Sequence, residues 1–248
     1  MLTEVGATAA AAGESPLFVL LTCEHGGRDV PAAYRRVFRG QKALLSTHRG
    51  YDIGALGVAT RMASLLAAPL IFSTVTRLLI DLNRSLDQRD VFSEFTRDLD
   101  EAERASIVAT YYRPHRDSVE RTVAAATAGG HRVVHVGIHS CTDVLKGSRR
   151  ELELALLFDE ARPLEAVFCE RWRDELARIA PDRRCPFNQP YRGSDDGLTT
   201  SLRGRFSADD YLGLEVEVRQ GIIGRAVEQR VIGELLAQSL RSVCRPTA

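Results

Sequence analysis

Several features that would place a protein quickly are missing from this chain. Its five cysteines, Cys23, Cys141, Cys169, Cys185 and Cys244, are odd in number, widely spaced and contain no C-x-x-C pair. That excludes a disulfide framework and a thiolate zinc site, and fits a reducing cytoplasm. Net charge is also lacking: 33 basic residues balance 33 acidic ones, so no long-range field draws the chain to nucleic acid or to an anionic membrane. No window approaches the roughly 20 apolar residues of a membrane helix. The opening "MLTEVGATAAAAGESP" has neither the basic nor the apolar segment of a signal peptide. The expectation is a soluble cytoplasmic protein with a flexible tail over 1–15 and a single domain over 16–248, because 248 residues suit one large domain better than two.

What the chain does contain is alternation of strand and helix patterns. The run 16–23, "PLFVLLTC", is apolar without polar alternation, as in a strand covered on both faces. The spacing predicts a helix over 52–66, with Asp52 at its cap or first turn. Strands are expected at 70–73, from 77 into 84, at 133–139, 151–158 and 212–219. Helices are expected at 106–128, 164–180 and 225–243, with a loop region over 181–205. This order implies an α/β three-layer sandwich, a mixed and mostly parallel sheet with helices on both faces.

Ligands in such folds sit at the carboxyl ends of strands. Here those ends carry Glu24-His25, Asp81/Asn83-Arg84, His139-Ser140 and Glu217-Arg219. Two histidines and a carboxylate with an open position make a hydrolytic zinc site. Each residue alone has an ordinary alternative: a strand-end His is commonly just hydrogen-bonded, Asp52 just a cap, Asn83-Arg84 just a surface pair. Cys23 and Cys141 read as small buried hydrophobes beside the site. The four strand ends together favour chemistry.

In order along the chain, "CEHGG", "HRGYDIGA", "TRLLIDLNRS", "YYRPH", "IHS", "NQPY" and "LEVEVRQ" resemble the N-formylglutamate amidohydrolase family, itself similar to the zinc carboxypeptidases and to aspartoacylase and succinylglutamate desuccinylase. The resemblance implies one zinc ion on His25, Asp52 and His139. Arg28 stands where the carboxypeptidases keep a ligand glutamate, so Asp52 resembles a displaced carboxylate ligand, with Glu24 as the alternative ligand or a supporting group and His48 as a further substitute. It also implies Glu217 as general base, with Glu215 as its competitor on the same strand face, and Arg77 as the oxyanion-stabilising cation. Asn83 and Arg84 resemble a substrate-carboxylate pair, with Asp81 orienting Arg84 or a ligand histidine. His115, Asn188, Tyr191 and Arg219 match family positions near substrate, and Arg113 and Arg192 could meet a second carboxylate.

The implied activity is hydrolysis of a small-molecule N-acyl, specifically N-formyl, amino acid such as N-formylglutamate. Another amide, a carboxyl-terminal peptide bond or a non-catalytic ligand-binding role remain alternatives on the same fold. The pattern does not address oligomeric state.

Overall fold

The computed structural model describes residues 15–145 and 147–245; the expected tail lies outside them except for Ser15. Five strands form one sheet: β1 (Leu17–Cys23), β2 (Leu70–Phe72), β3 (Arg132–Cys141), β4 (Leu154–Leu157) and β5 (Tyr211–Arg219), in the order β2-β1-β3-β5-β4. The first four in that order run parallel, and β4 pairs antiparallel to β5.

The sheet carries helices on both faces, as the sequence pattern implies. Along β1 and β3, Leu21, Val134, Val136 and Ile138 point to one side and pack in the main core with α1 (Ala55–Leu66), α4 (Pro163–Ile179) and α6 (Ala226–Val243). The alternate residues Leu20, Val133 and Tyr211 meet α3 (Arg113–Ala128) and α5 (Leu198–Arg203) on the other side. Successive side chains of a strand alternate between faces, so Glu24, His139, Glu215 and Glu217 fall on the α3 side, at or just beyond the carboxyl ends of their strands. The strand pairing sets His139 directly beside Glu217.

Four expected segments differ. Residues 77–84 form turns: Leu79 N donates to the Thr76 carbonyl and Asp81 N to the Val91 carbonyl, while the Leu78 and Leu79 carbonyls accept from the Ser93 and Thr96 hydroxyls. Backbone groups satisfied one by one need no ladder. Leu78, Leu79, Ile80 and Leu82 are apolar because they fill a second core with Tyr34, Phe38, Ile107 and Tyr112.

The long helix begins earlier than 106, as α2 (Glu101–Ile107), where the Asp100 carboxylate accepts from Glu103 N at 2.8 Å. A π turn over Val108–Tyr112 then leads into α3. Pro114 lacks the N–H for an α-type bond to the Thr110 carbonyl and its ring crowds that carbonyl, a cause of local opening. Within 181–205 the chain forms α5. Asp52 does not cap α1: that helix starts from Gly54 at φ +83°, without a side-chain cap, and Asp52 turns elsewhere.

Candidate active site

Each polar group at the site is delivered by a strand end or by a turn tied to one. His25 follows β1, and Asp52 is fixed beside it because Asp52 N donates to the His25 carbonyl at 2.9 Å. Gly27 lies so close to residue 74 that a Cβ would come within 2.5 Å of the Thr74 carbonyl oxygen. The 73–81 turn is therefore held against the His25 segment, which brings in Arg77 and Asp81. His139 and Glu217 arrive on neighbouring strands.

The imidazoles are oriented by carboxylates. His25 Nε2 lies 2.7 Å from Asp81 Oδ1, and its Nδ1 lies 3.4 Å from Asp52 Oδ2. His139 Nε2 lies 3.3 Å from Glu24 Oε2, and its Nδ1 lies 2.9 Å from Asp52 Oδ2. Both rings thus turn Nδ1 toward Asp52 and Nε2 toward a carboxylate behind, hydrogen-bonded for His25 and at ion-pair distance without a hydrogen bond for His139. Glu24 is itself shared with His115 Nε2 at 3.5 Å.

One donor atom each from His25, Asp52 and His139 lie within 4.8 Å of one another. His25 Nδ1 is buried with no hydrogen-bond partner among the described residues. Two imidazole nitrogens and a carboxylate oxygen are a donor set suited to a metal ion, and carboxylate-held histidines are the usual support for such a set. The residues present fit a metal.

Arg77 binds the two carboxylates of this group together: Nη1 donates to Asp52 Oδ1 at 3.3 Å, and Nη2 and Nε donate to Asp81 Oδ2 at 2.6 and 3.1 Å. Burial pushes the Asp52 and Asp81 carboxyls up, but the neighbouring histidines and Arg77 outweigh it and hold both well below the usual carboxylate range. Glu217 behaves oppositely. Burial pushes its carboxyl up to about 7, with His139 opposing, and its Oε2 has no hydrogen-bond partner among the described residues. A cation on the triad would pull that value down again. Glu215, two residues earlier on the same face, accepts from the Thr199 hydroxyl at 3.2 Å. Burial likewise pushes the Cys141 thiol up to about 12.

A cavity of about 190 Å³ opens over these groups, lined by His25, Asp52, Arg77, Asn83, Arg84, His139, Tyr191 and Glu217, with His48, Glu215 and Arg192. Asn83 Oδ1 accepts from Leu198 N at 2.7 Å, which leaves its amide nitrogen for the cavity. Arg84 is steadied by the Asp196 carbonyl at 2.9 Å and by Asp90 at 3.6 Å.

Other expected residues are placed away from the cavity lining. Glu24 and His115 lie behind His139, paired with each other. Asn188 adopts φ +50° and its Oδ1 accepts from Phe158 N and Gly193 N, so its amide holds a turn. Arg219 pairs with Asp143 and Glu153, and Arg113 is exposed on α3. Four lining groups escaped the sequence reading: Thr142 and Asp195, Arg150, which follows a short hairpin (Val144–Leu145 with Ser148–Arg149) and belongs to no motif, and Asp196, whose carboxylate accepts from Ser85 N and Oγ.

Residues 17–223 match the family model for N-formylglutamate amidohydrolase. Among solved structures the chain is similar to gene product Atu2144 from Agrobacterium tumefaciens, with 31% identity, a TM-score of 0.77 and coverage of 94% of this chain and 92% of that one. It is also similar in fold to N-formylglutamate amidohydrolase from Ralstonia eutropha JMP134, with 18% identity, a TM-score of 0.68 and coverage of 94% of each chain. No curated protein matches the chain. No helix among the described residues is long and apolar enough to cross a membrane. With a family model matched from the first strand to beyond the last, the chain belongs to the N-formylglutamate amidohydrolase family and is an amidohydrolase.

Proposed function

We propose that the chain hydrolyses the amide of an N-acyl amino acid, N-formylglutamate being the family's own example, with one zinc ion held by His25 Nδ1, Asp52 and His139 Nδ1. The observation that carries this reading is the shared orientation of the two imidazoles, each presenting Nδ1 to Asp52 while Nε2 faces a carboxylate, Asp81 for His25 and Glu24 for His139. It favours Asp52 as the carboxylate ligand and Glu24 as the support behind His139. Zinc there would supply a Lewis acid that polarises the amide carbonyl and acidifies water.

The chain's own groups do the rest. Glu217, with an unengaged buried oxygen, takes a proton from the attacking water and delivers it to the departing amine nitrogen. Water oxygen bonds to the acyl carbon, the C–N bond breaks, and a small acid and a free amino acid result. Arg77, locked by Asp52 and Asp81, presents a fixed positive charge where the carbonyl oxygen becomes negative. The Asn83 amide and the Arg84 guanidinium hold the substrate carboxylate.

Metal analysis of purified protein should find about one zinc per chain, and zinc should restore activity after chelation. The Glu217→Gln variant should keep that zinc while kcat/KM for N-formylglutamate falls by about 10²–10⁴-fold. Full turnover in the variant would remove Glu217 as the base, and an active metal-free protein would remove zinc.

A further inference from the structure

Four polar atoms are buried together behind the cavity without hydrogen-bond partners among the described residues: both carboxylate oxygens of Glu24, His115 Nε2 and His139 Nε2. They face one another in pairs. His139 Nε2 lies 3.3 Å from Glu24 Oε2, and His115 Nε2 lies 3.5 Å from Glu24 Oε1. Orphaned buried groups are rare in native proteins because each costs free energy. A cluster of four that can answer one another therefore has a common reason. A third imidazole near Glu24, that of His135, is already taken up by the Thr22 and Tyr211 hydroxyls.

His115 is held at that spot by its neighbours. It lies in the first turn of α3, where residues at spacing i, i+3 and i+4 share one helical face. On that face Tyr112 donates its hydroxyl to the Arg84 carbonyl at 2.7 Å, and Arg116 Nη1 donates to the Leu82 carbonyl at 3.2 Å. The helix start is thereby tied to the segment that carries Asn83 and Arg84, and His115, between the two ties, is set against Glu24. It is buried and lies outside the cavity lining, so it meets Glu24 rather than substrate.

A metal on His139 needs the Nδ1 lone pair, which places the ring proton on Nε2, opposite Glu24 Oε2. An imidazole nitrogen that faces only a carboxylate carries its proton there for the same reason, so His115 Nε2 donates to the other oxygen. A carboxylate gripped at both oxygens cannot swing away from the ligand it supports. We propose that His115 is a positioning residue that fixes Glu24 and, through it, holds His139 with Nδ1 turned to the metal. The proposal rests on the reading of His139 as a metal ligand and assigns His115 to the support of that ligand.

The test is zinc affinity, measured by competition with a chromophoric chelator, in a double-mutant cycle. His115→Leu keeps the bulk and removes the donor, and should weaken zinc binding by about 10–100-fold. His115→Gln, whose amide can donate, should recover part of that loss. In a Glu24→Gln background His115→Leu should cost little more, because the path runs through Glu24. His115→Asn, too short to reach Glu24, replaces His115→Leu if that variant does not fold. A merely structural histidine would lower the melting temperature of the metal-free protein and leave zinc affinity unchanged, which overturns the proposal. Additive losses in the double variant overturn it as well.

If the wild type binds no zinc, the metal reading fails, and proton NMR of the metal-free protein with ¹⁵N-labelled histidine still decides the contact. A downfield His139 Nε2 proton in the wild type and in His115→Gln that is lost in His115→Leu supports the clamp. Its absence from the wild type, or its persistence in all three proteins, overturns it.

Discussion

The Asp81 carboxylate touches three things at once: the His25 ring, the Arg77 guanidinium and the backbone N–H of Asn83, at 2.9 Å for the last. It therefore sets the tautomer of a proposed ligand, the aim of a cation and the start of the Asn83-Arg84 pair. Replacing it with asparagine keeps the shape and removes the charge. Asp81→Asn should weaken zinc binding by roughly 10–100-fold, the usual effect of disturbing the group behind a ligand histidine; competition with a chromophoric chelator measures this, and unchanged affinity would detach Asp81 from the metal. The carbonyl oxygen of the new amide can still accept from His25 and Asn83 N, so secondary structure should persist in circular dichroism. Residue types at the site were legible in the sequence because the DLNR and HS segments are contiguous. The partner of each was not: Asp81 reads equally well as a support for Arg84 or for a histidine until the turn at 77–84 is known. Arg150 carried no local signal at all, since only the fold brings it to the cavity.

At the level of elements, the sheet and its helices were visible as periodicity, and the errors have a common origin. Apolar side chains at 78–82 look like a strand because the sequence reports that they are buried, not by what. They are buried against the 34–38 segment and α2, in the smaller core beside the sheet, and hydroxyl side chains satisfy the backbone that a ladder would have served. The start of α1 was misplaced for a related reason: an aspartate before a helix suggests a cap, whereas here Gly54 makes the bend and releases Asp52 to the site. Gly54 holds φ +83°, and a Cβ there would come within 2.5 Å of the Ile223 carbonyl oxygen. Gly54→Ala should destabilise the fold by at least about 1 kcal/mol through backbone strain and that clash. Urea unfolding measures it; an unchanged midpoint would mean that the turn relaxes freely. Because Asp52 is two residues away, the same variant should also lower zinc affinity.

Across the whole molecule, the three central parallel strands are joined by a buried polar line: the Thr22 hydroxyl to His135 Nε2 at 2.9 Å, and His135 Nδ1 to the Tyr211 hydroxyl at 2.7 Å. Two hydroxyls can each donate or accept, so a neutral imidazole is satisfied here, and full burial makes a proton unwelcome. Burial lowers the His135 pKa from 6.5 to about 4. The unfolded chain binds a proton at His135 that the folded chain refuses across that interval, so this contribution to stability is full above about pH 6.5 and is lost as pH falls toward about 4. The loss is on the order of 3 kcal/mol. His135→Gln should unfold with a correspondingly flatter pH dependence over this window, and a difference between the two proteins that does not vary with pH would rule the imidazole out as the cause.

The hydrogen bond from Asp52 N to the His25 carbonyl has a consequence for how such a protein can diverge. It staples the two ends of the intervening excursion, so that His25 and Asp52 behave as neighbours however long the chain between them. That excursion has apolar anchors of its own, Tyr34 and Phe38, in the smaller core, and it carries His48 to the cavity mouth. Closing a longer loop costs only about 0.6 kcal/mol for each doubling of its length. Insertions there can reshape the entrance to the cavity, and with it the range of acceptable substrates, while the pair at its foot stays in place; substrate choice and metal chemistry can thus drift on separate clocks.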